Sequence, residues 1–139
     1  MRNAILIVDD IPDDASLIRR AVLDLHPKAV VQVVTSGTDL KAYLEGKGPY
    51  ANREAFPYPC LIMLDLRMPE MDGFEVMEWL KSQTRHAAVP VIAISAFDQQ
   101  KFIKRAYQLG ARTFLSKPVN SESIREAIRV LCLPVEFFN

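Results

Sequence analysis

The sequence predicts a doubly wound α/β domain: a five-stranded parallel sheet covered on both faces by five helices. Three observations lead there. Short apolar runs rich in β-branched residues recur at 4–8, 30–34, 61–65, 91–95 and 113–116. They are continuous rather than alternating, as in strands buried on both faces. The intervals between them carry helical spacing and approach the roughly 30 residues of a strand–helix–strand unit.

The elements follow in order. After the first strand, Ile11, Ala15, Ile18, Val22 and Leu25 recur at helical spacing. The second strand is 30–34, and a helix starting near Gly37 carries Leu40, Tyr43 and Leu44 until Gly46-Lys47-Gly48-Pro49 stops it. Tyr50 to Pro59 holds two prolines and no period, which predicts irregular chain. Strands at 61–65 and 91–95 come next. Phe102, Ile103, Ala106 and Leu109 then mark a helix, and Gly110 sits where a helix C-terminus favours positive φ. The last strand, 113–116, precedes a helix over 121–131 with Ile124, Ala127, Ile128 and Leu131 apolar and Asn120 as its N-cap. One domain over 1–139 is expected, with its core in 4–131 and an apolar tail at 132–139.

Composition narrows the function classes. Lys plus Arg equal Asp plus Glu at 17 each, so no global field draws the chain to nucleic acid or an anionic membrane. Cys60 and Cys132 show no metal-ligand spacing and fit a reducing compartment. No apolar stretch approaches the roughly 20 residues of a membrane span, and a cytoplasmic location is expected. His26 and His86 sit beside turn signals and are expected at the surface.

The chemistry gathers at the strand ends. Ligands of an open parallel sheet bind outside the carboxyl ends of its strands, and the common order 2-1-3-4-5 sets strands 1 and 3 side by side. The first strand ends in Asp9-Asp10, the third in Asp65 and the fourth in Ser95, while Lys117-Pro118 follows the fifth. Three carboxylates this close repel one another unless a cation compensates. Mg²⁺ suits them, because it takes few protein carboxylates and completes its shell with water and phosphate oxygens. A nucleophile, a metal and a cationic partner are the ingredients of phosphoryl transfer. Taken singly, Ser95 reads as a cap for the next helix and Lys117 as a solvated loop lysine; their coincidence at four strand ends favours the shared chemistry.

The chain resembles the receiver domains of two-component response regulators. The resemblance rests on Ile-Leu-Ile-Val-Asp-Asp at 5–10, Leu-Asp-Leu-Arg-Met-Pro-Glu-Met-Asp-Gly at 64–73, Ile-Ser-Ala at 94–96 and Ser-Lys-Pro-Val at 116–119. It implies a flavodoxin-like sheet, Asp65 as phosphoacceptor, and Mg²⁺ held by Asp9, Asp10, Asp65 and the Arg67 backbone carbonyl. It further implies that Ser95 and Lys117 contact phosphoryl oxygens, that Ser95 and Phe114 form a switch, and that the Lys117–Pro118 bond is cis. The partners implied are a sensor histidine kinase or histidine phosphotransfer protein and a downstream protein of unknown identity. The segments 10–20 and 48–50 and the aromatic tail resemble stand-alone receivers of the cyanobacterial phytochrome type. Nothing after Leu131 is long enough for an output domain, so output is expected through protein contacts.

A flavin-binding electron carrier shares the sheet order but needs uncharged donors in its first loop. Here that loop carries Asp9, Asp10, Asp13 and Asp14, and Pro12 has no N–H to offer. An aspartyl-phosphate phosphatase typically has an acid two residues after its nucleophile, where this chain has Arg67. Leu133, Val135, Phe137 and Phe138 of the tail either pack on their own domain or join a homodimer through helix 4, strand 5 and helix 5.

Overall fold

The computed structural model describes residues 4–67 and 72–131. Five strands, β1 (Ala4–Val8), β2 (Val30–Val34), β3 (Pro59–Asp65), β4 (Val91–Ser95) and β5 (Thr113–Ser116), form one sheet in the order β2-β1-β3-β4-β5. Every neighbouring pair is parallel. The helices are α1 (Pro12–Leu25), α2 (Gly37–Glu45), α3 (Gly73–Ser82), α4 (Gln100–Gln108) and α5 (Ser121–Leu131). No helix among the described residues is long and apolar enough to cross a membrane.

Alternation along the strands splits the core in two. Leu6, Val8, Ile62 and Leu64 face Leu40 and Leu44 of α2, Phe74 and Met77 of α3 and Ala106 of α4. Ile5, Ile7, Leu61 and Met63 turn the other way, onto Ile18 and Val22 of α1 and Ile124 and Ile128 of α5. Each such side chain taken fully out of water contributes about 1.5–3 kcal/mol. The strands are thereby fixed in register, and with them the residues at their carboxyl ends.

Helix ends follow local chemistry. Pro12 opens α1, where its missing N–H costs nothing, and Asp13 and Asp14 lie in the first turn beside the positive end of the helix dipole. Ser36 caps α2 by accepting from the Asp39 N–H at 3.1 Å, and Asp72 caps α3 by accepting from the Glu75 N–H at 3.0 Å. Asn120 caps α5 as the sequence predicts: its Oδ1 accepts from the Ser123 N–H at 2.8 Å while Ser123 Oγ accepts from the Asn120 N–H at 3.0 Å. Gly110 has the expected positive φ of 107°.

Three details differ from the sequence expectations. The third strand starts two residues early, at Pro59, a first-residue position that tolerates proline because no N–H is demanded there. The loop before it contains a 3₁₀ turn over Gly48–Tyr50 and is held by aromatic packing rather than by a period. In it Tyr50 and Phe56 close on the buried Tyr43, whose hydroxyl donates to Pro57 O at 2.8 Å. His86 is not a surface residue: it is 6% exposed, stacked on the Tyr58 ring and tilted against the Trp79 ring, with Nδ1 2.5 Å from the Tyr58 hydroxyl. Burial lowers its pKa. The turn linking α3 to β4 folds this ring inward, which turn residues alone do not reveal. Cys132, Met68 to Met71 and the apolar tail, with the dimer reading that used it, lie outside the described residues.

Candidate phosphoryl-transfer site

The strand order brings Asp9, Asp10 and Asp65 together as expected: one carboxylate oxygen from each lies within 4.8 Å of the others. Asp9 and Asp65 are almost wholly buried. Ser95 ends the neighbouring β4 and is 2% exposed, and Lys117 reaches in from the loop after β5, across a cis bond to Pro118.

Backbone amides fix the buried groups in one repeated manner. The N–H two residues on donates to each side chain: Ile11 to Asp9 Oδ1 at 2.9 Å, Arg67 to Asp65 Oδ1 at 2.9 Å, and Phe97 to Ser95 Oγ at 3.0 Å. Each strand therefore ends in a turn that orients its own functional oxygen. Ser95 does not cap the next helix, since α4 begins five residues later with Gln99 at the N-cap. Accepting that bond leaves the Ser95 hydroxyl hydrogen available to donate elsewhere.

Lys117 Nζ is the hub. It donates to Asp9 Oδ2 at 3.1 Å, Asp65 Oδ2 at 3.1 Å and Asp14 Oδ2 at 2.8 Å. Burial alone would lower its pKa, but the three carboxylates outweigh that and hold it above the usual lysine value. The ammonium is therefore charged at neutral pH. Asp65 shifts upward, first because burial penalises its charge and also through Asp9; the Arg67 amide and Lys117 pull it back. Its carboxylate is a strained anion with one cation beside it and two like charges close by.

Asp10 supplies the complementary observation. Its Oδ1 is buried without a hydrogen-bond partner, a costly state for a carboxylate oxygen unless a cation completes it. All three donors are hard oxygens, the set that suits a divalent ion of the Mg²⁺ kind. The residues present fit such an ion.

Two features of the site were missed by sequence reasoning. In the sequence Asp14 reads only as a charge hostile to phosphate. Its position in the first turn of α1 was an available signal, because helical side chains lean toward the N-terminus and so back toward the strand ends. The second is the partner of Arg67, whose guanidinium lies 4.2 Å from the centre of the Phe97 ring. These two exposed residues are the ones whose backbone N–H groups close the turns on Asp65 and Ser95. Phe114 lies on β5, half-buried, opposite Ala93 of β4 and against the core shared with α2, α3 and α4.

Comparison with known proteins agrees with this geometry. Residues 5–129 match the family described as the response regulator receiver domain. Among solved structures, the bacteriophytochrome response regulator RtBRR superposes with a TM-score of 0.85 at 29% identity, over 96% of this chain and 80% of that one. The phosphorylated cyanobacterial phytochrome response regulator RcpA gives 0.78 at 29% identity, over 99% and 94%. The Mn²⁺-bound form of the response regulator Rcp1 gives 0.73 at 27% identity, over 92% and 88%. With the fold, the strand-end residues and the family match in agreement, the chain belongs to the response regulator receiver domains of two-component signalling, close in structure to stand-alone phytochrome response regulators.

Proposed function

We propose that this receiver accepts a phosphoryl group on the Asp65 carboxylate from the phosphohistidine of a sensor histidine kinase or histidine phosphotransfer protein, in a Mg²⁺-dependent reaction. The observation that carries the reading is the Asp65 carboxylate itself. It is buried at the end of β3, 3.1 Å from a charged lysine and within 4.8 Å of two further carboxylates, one with an unpartnered oxygen.

An Asp65 oxygen attacks phosphorus in line; the new P–O bond forms as the P–N bond to the donor imidazole breaks, and that imidazole leaves with the bonding pair and takes up a proton. Asp9, Asp10, Asp65 and the Arg67 backbone carbonyl are the residues that would hold Mg²⁺. When bound, the ion supplies positive charge against the phosphoryl oxygens and relieves carboxylate repulsion. Lys117 neutralises a second oxygen, and the Ser95 hydroxyl donates to a third. The chain thus turns over only its own phosphoryl group and is not an enzyme toward other substrates.

The signal leaves through the same serine. Drawing Ser95 toward the phosphoryl group moves the loop after β4 and opens space beside Phe114, whose ring then turns inward. A shift from 1:9 to 9:1 between two arrangements requires only about 2.6 kcal/mol of differential interaction. The altered α4–β5–α5 face is what a downstream protein reads, or what a homodimer is built on, in the cytoplasm and without direct contact to nucleic acid or membrane. In this reading the whole chain acts as one receiver.

Intact-mass analysis with acetyl phosphate tests the proposal. One added phosphoryl group is expected in Mg²⁺ and none in EDTA; a mass unchanged in Mg²⁺ overturns it.

A further inference from the structure

The three N–H bonds of the Lys117 ammonium end on three different carboxylates, and the shortest, 2.8 Å, goes to Asp14. Asp9 and Asp65 belong to the metal-competent cluster with Asp10, and Asp14 stands outside it. That division decides what holds Lys117 in a loaded site. A divalent cation shared by Asp9 and Asp65 draws on the same carboxylates that hold the ammonium, and repels the ammonium as well. Converting Asp65 to an acyl phosphate removes that carboxylate's own charge. Of the three partners, Asp14 alone keeps both its charge and its freedom from the metal throughout.

We propose that Asp14 is the positioning residue for Lys117. Its carboxylate anchors the ammonium at the α1 side of the crevice, so that one N–H stays aimed at the oxygens carried by Asp65 when metal and phosphoryl group are present. The proposal rests on the reading of Asp65 as phosphoacceptor. The contact joins elements 103 residues apart, the first turn of α1 and the loop after β5. The Asp14 side chain is 37% exposed and that of Lys117 13%. An ion pair that open contributes little to stability, so its effect falls on aim. On its open side Asp14 borders a hollow of about 290 Å³ with Leu17, Ile18, Ala96 and Pro118. Its truncation therefore removes the anchor and leaves the core packing intact.

The test compares wild type, Asp14→Ala and Asp14→Glu by two readouts. One is the initial rate of phosphorylation by acetyl phosphate in saturating Mg²⁺. The other is the ¹H–¹⁵N signal of the Lys117 ammonium in Mg²⁺ alone, visible only while its hydrogen bonds slow exchange. Asp14→Ala is expected to lower the rate about ten- to a hundredfold, the upper figure being the loss that a roughly 1 Å misplacement of a reacting group can produce, and to broaden the ammonium signal. Asp14→Glu restores the charge and is expected to recover most of both. An Ala variant that keeps the wild-type rate, or loses rate with the ammonium signal intact, overturns the anchoring role. If wild type itself takes no phosphoryl group, the phosphoacceptor reading fails instead, and the ammonium signals alone decide whether Asp14 holds Lys117.

Discussion

Replacing Asp65 by Asn is expected to stabilise the metal-free protein by about 1–2 kcal/mol, and Mg²⁺ is expected to erase that advantage. The magnitude comes from the charges around the site. Oxygens of Asp9 and Asp10 lie within 4.8 Å of Asp65, and at an effective dielectric of 20 each repels its carboxylate by at least about 3.5 kcal/mol. Lys117, at 3.1 Å, returns about 5 kcal/mol on the same scale. Neutralisation thus relieves more repulsion than it forfeits attraction. Desolvation adds to the relief, and turning an amide NH₂ toward the ammonium takes part of it back. The Asn carbonyl still accepts from the Arg67 N–H, now at 2.9 Å from Asp65 Oδ1. The sign agrees with the upward shift of the Asp65 pKa, caused first by burial. A carboxyl whose pKa is raised on folding contributes stability below its unfolded pKa that is lost as pH rises through the folded value. The difference between the two proteins should therefore shrink on acidification. Urea unfolding, followed by far-UV circular dichroism in EDTA and then in Mg²⁺, reads both parts. Ligand linkage gives wild type about 2.7 kcal/mol at a hundredfold excess over Kd, and the variant, short of one anionic ligand, should gain less. A variant less stable than wild type in EDTA, or equal Mg²⁺ gains in both, refutes the charge reasoning.

Other perturbations probe neighbouring parts of the account. Arg67→Asn removes the guanidinium that lies on the Phe97 ring, a side chain two residues from Asp65 and long enough to shield its phosphoryl group from water, so the phosphorylated state should hydrolyse several-fold faster by time-resolved mass measurement; an unchanged or longer lifetime rejects a shielding role. A Cβ at Gly73 would lie 2.4 Å from Leu66 Cα and 2.9 Å from Asp65 O, so Gly73→Ala should cost about 1–3 kcal/mol in urea unfolding and slow phosphorylation by shifting the end of β3. Wild-type stability in that variant would show that the approach is not limiting. Ser95→Ala should still accept a phosphoryl group but lose most of the α4 and β5 amide shift changes that beryllofluoride produces in wild type. Retention of the full pattern would exclude the hydroxyl as the coupling group.

The architecture was legible because strand ends are marked by abrupt changes of residue type. Val8 gives way to Asp9, Leu64 to Asp65 and Ile94 to Ser95, and the structure places those junctions where the apolar runs stop. Asp9, Asp10, Asp65, Ser95 and Lys117 could be brought to one edge by strand order alone. What escaped depends on directions that spacing does not encode. Asp14 turns back along α1 onto Lys117, whereas the adjacent Asp13 is simply exposed. The burial of His86 is not legible from its turn signals because its environment is assembled from Tyr58 and Trp79, on separate elements. The Arg67 and Phe97 side chains belong to different loops, and only the parallel pairing of β3 and β4 brings them together.

The central claim is that Asp65 carries the phosphoryl group, and its most direct test is chemical trapping after exposure to acetyl phosphate and Mg²⁺. Borohydride reduces an acyl phosphate to the alcohol, so peptide mass spectrometry should find homoserine at position 65 and aspartate intact at positions 9, 10 and 14. Homoserine at one of those other positions, or aspartate unchanged at 65 in protein that has gained a phosphoryl group, would contradict the account.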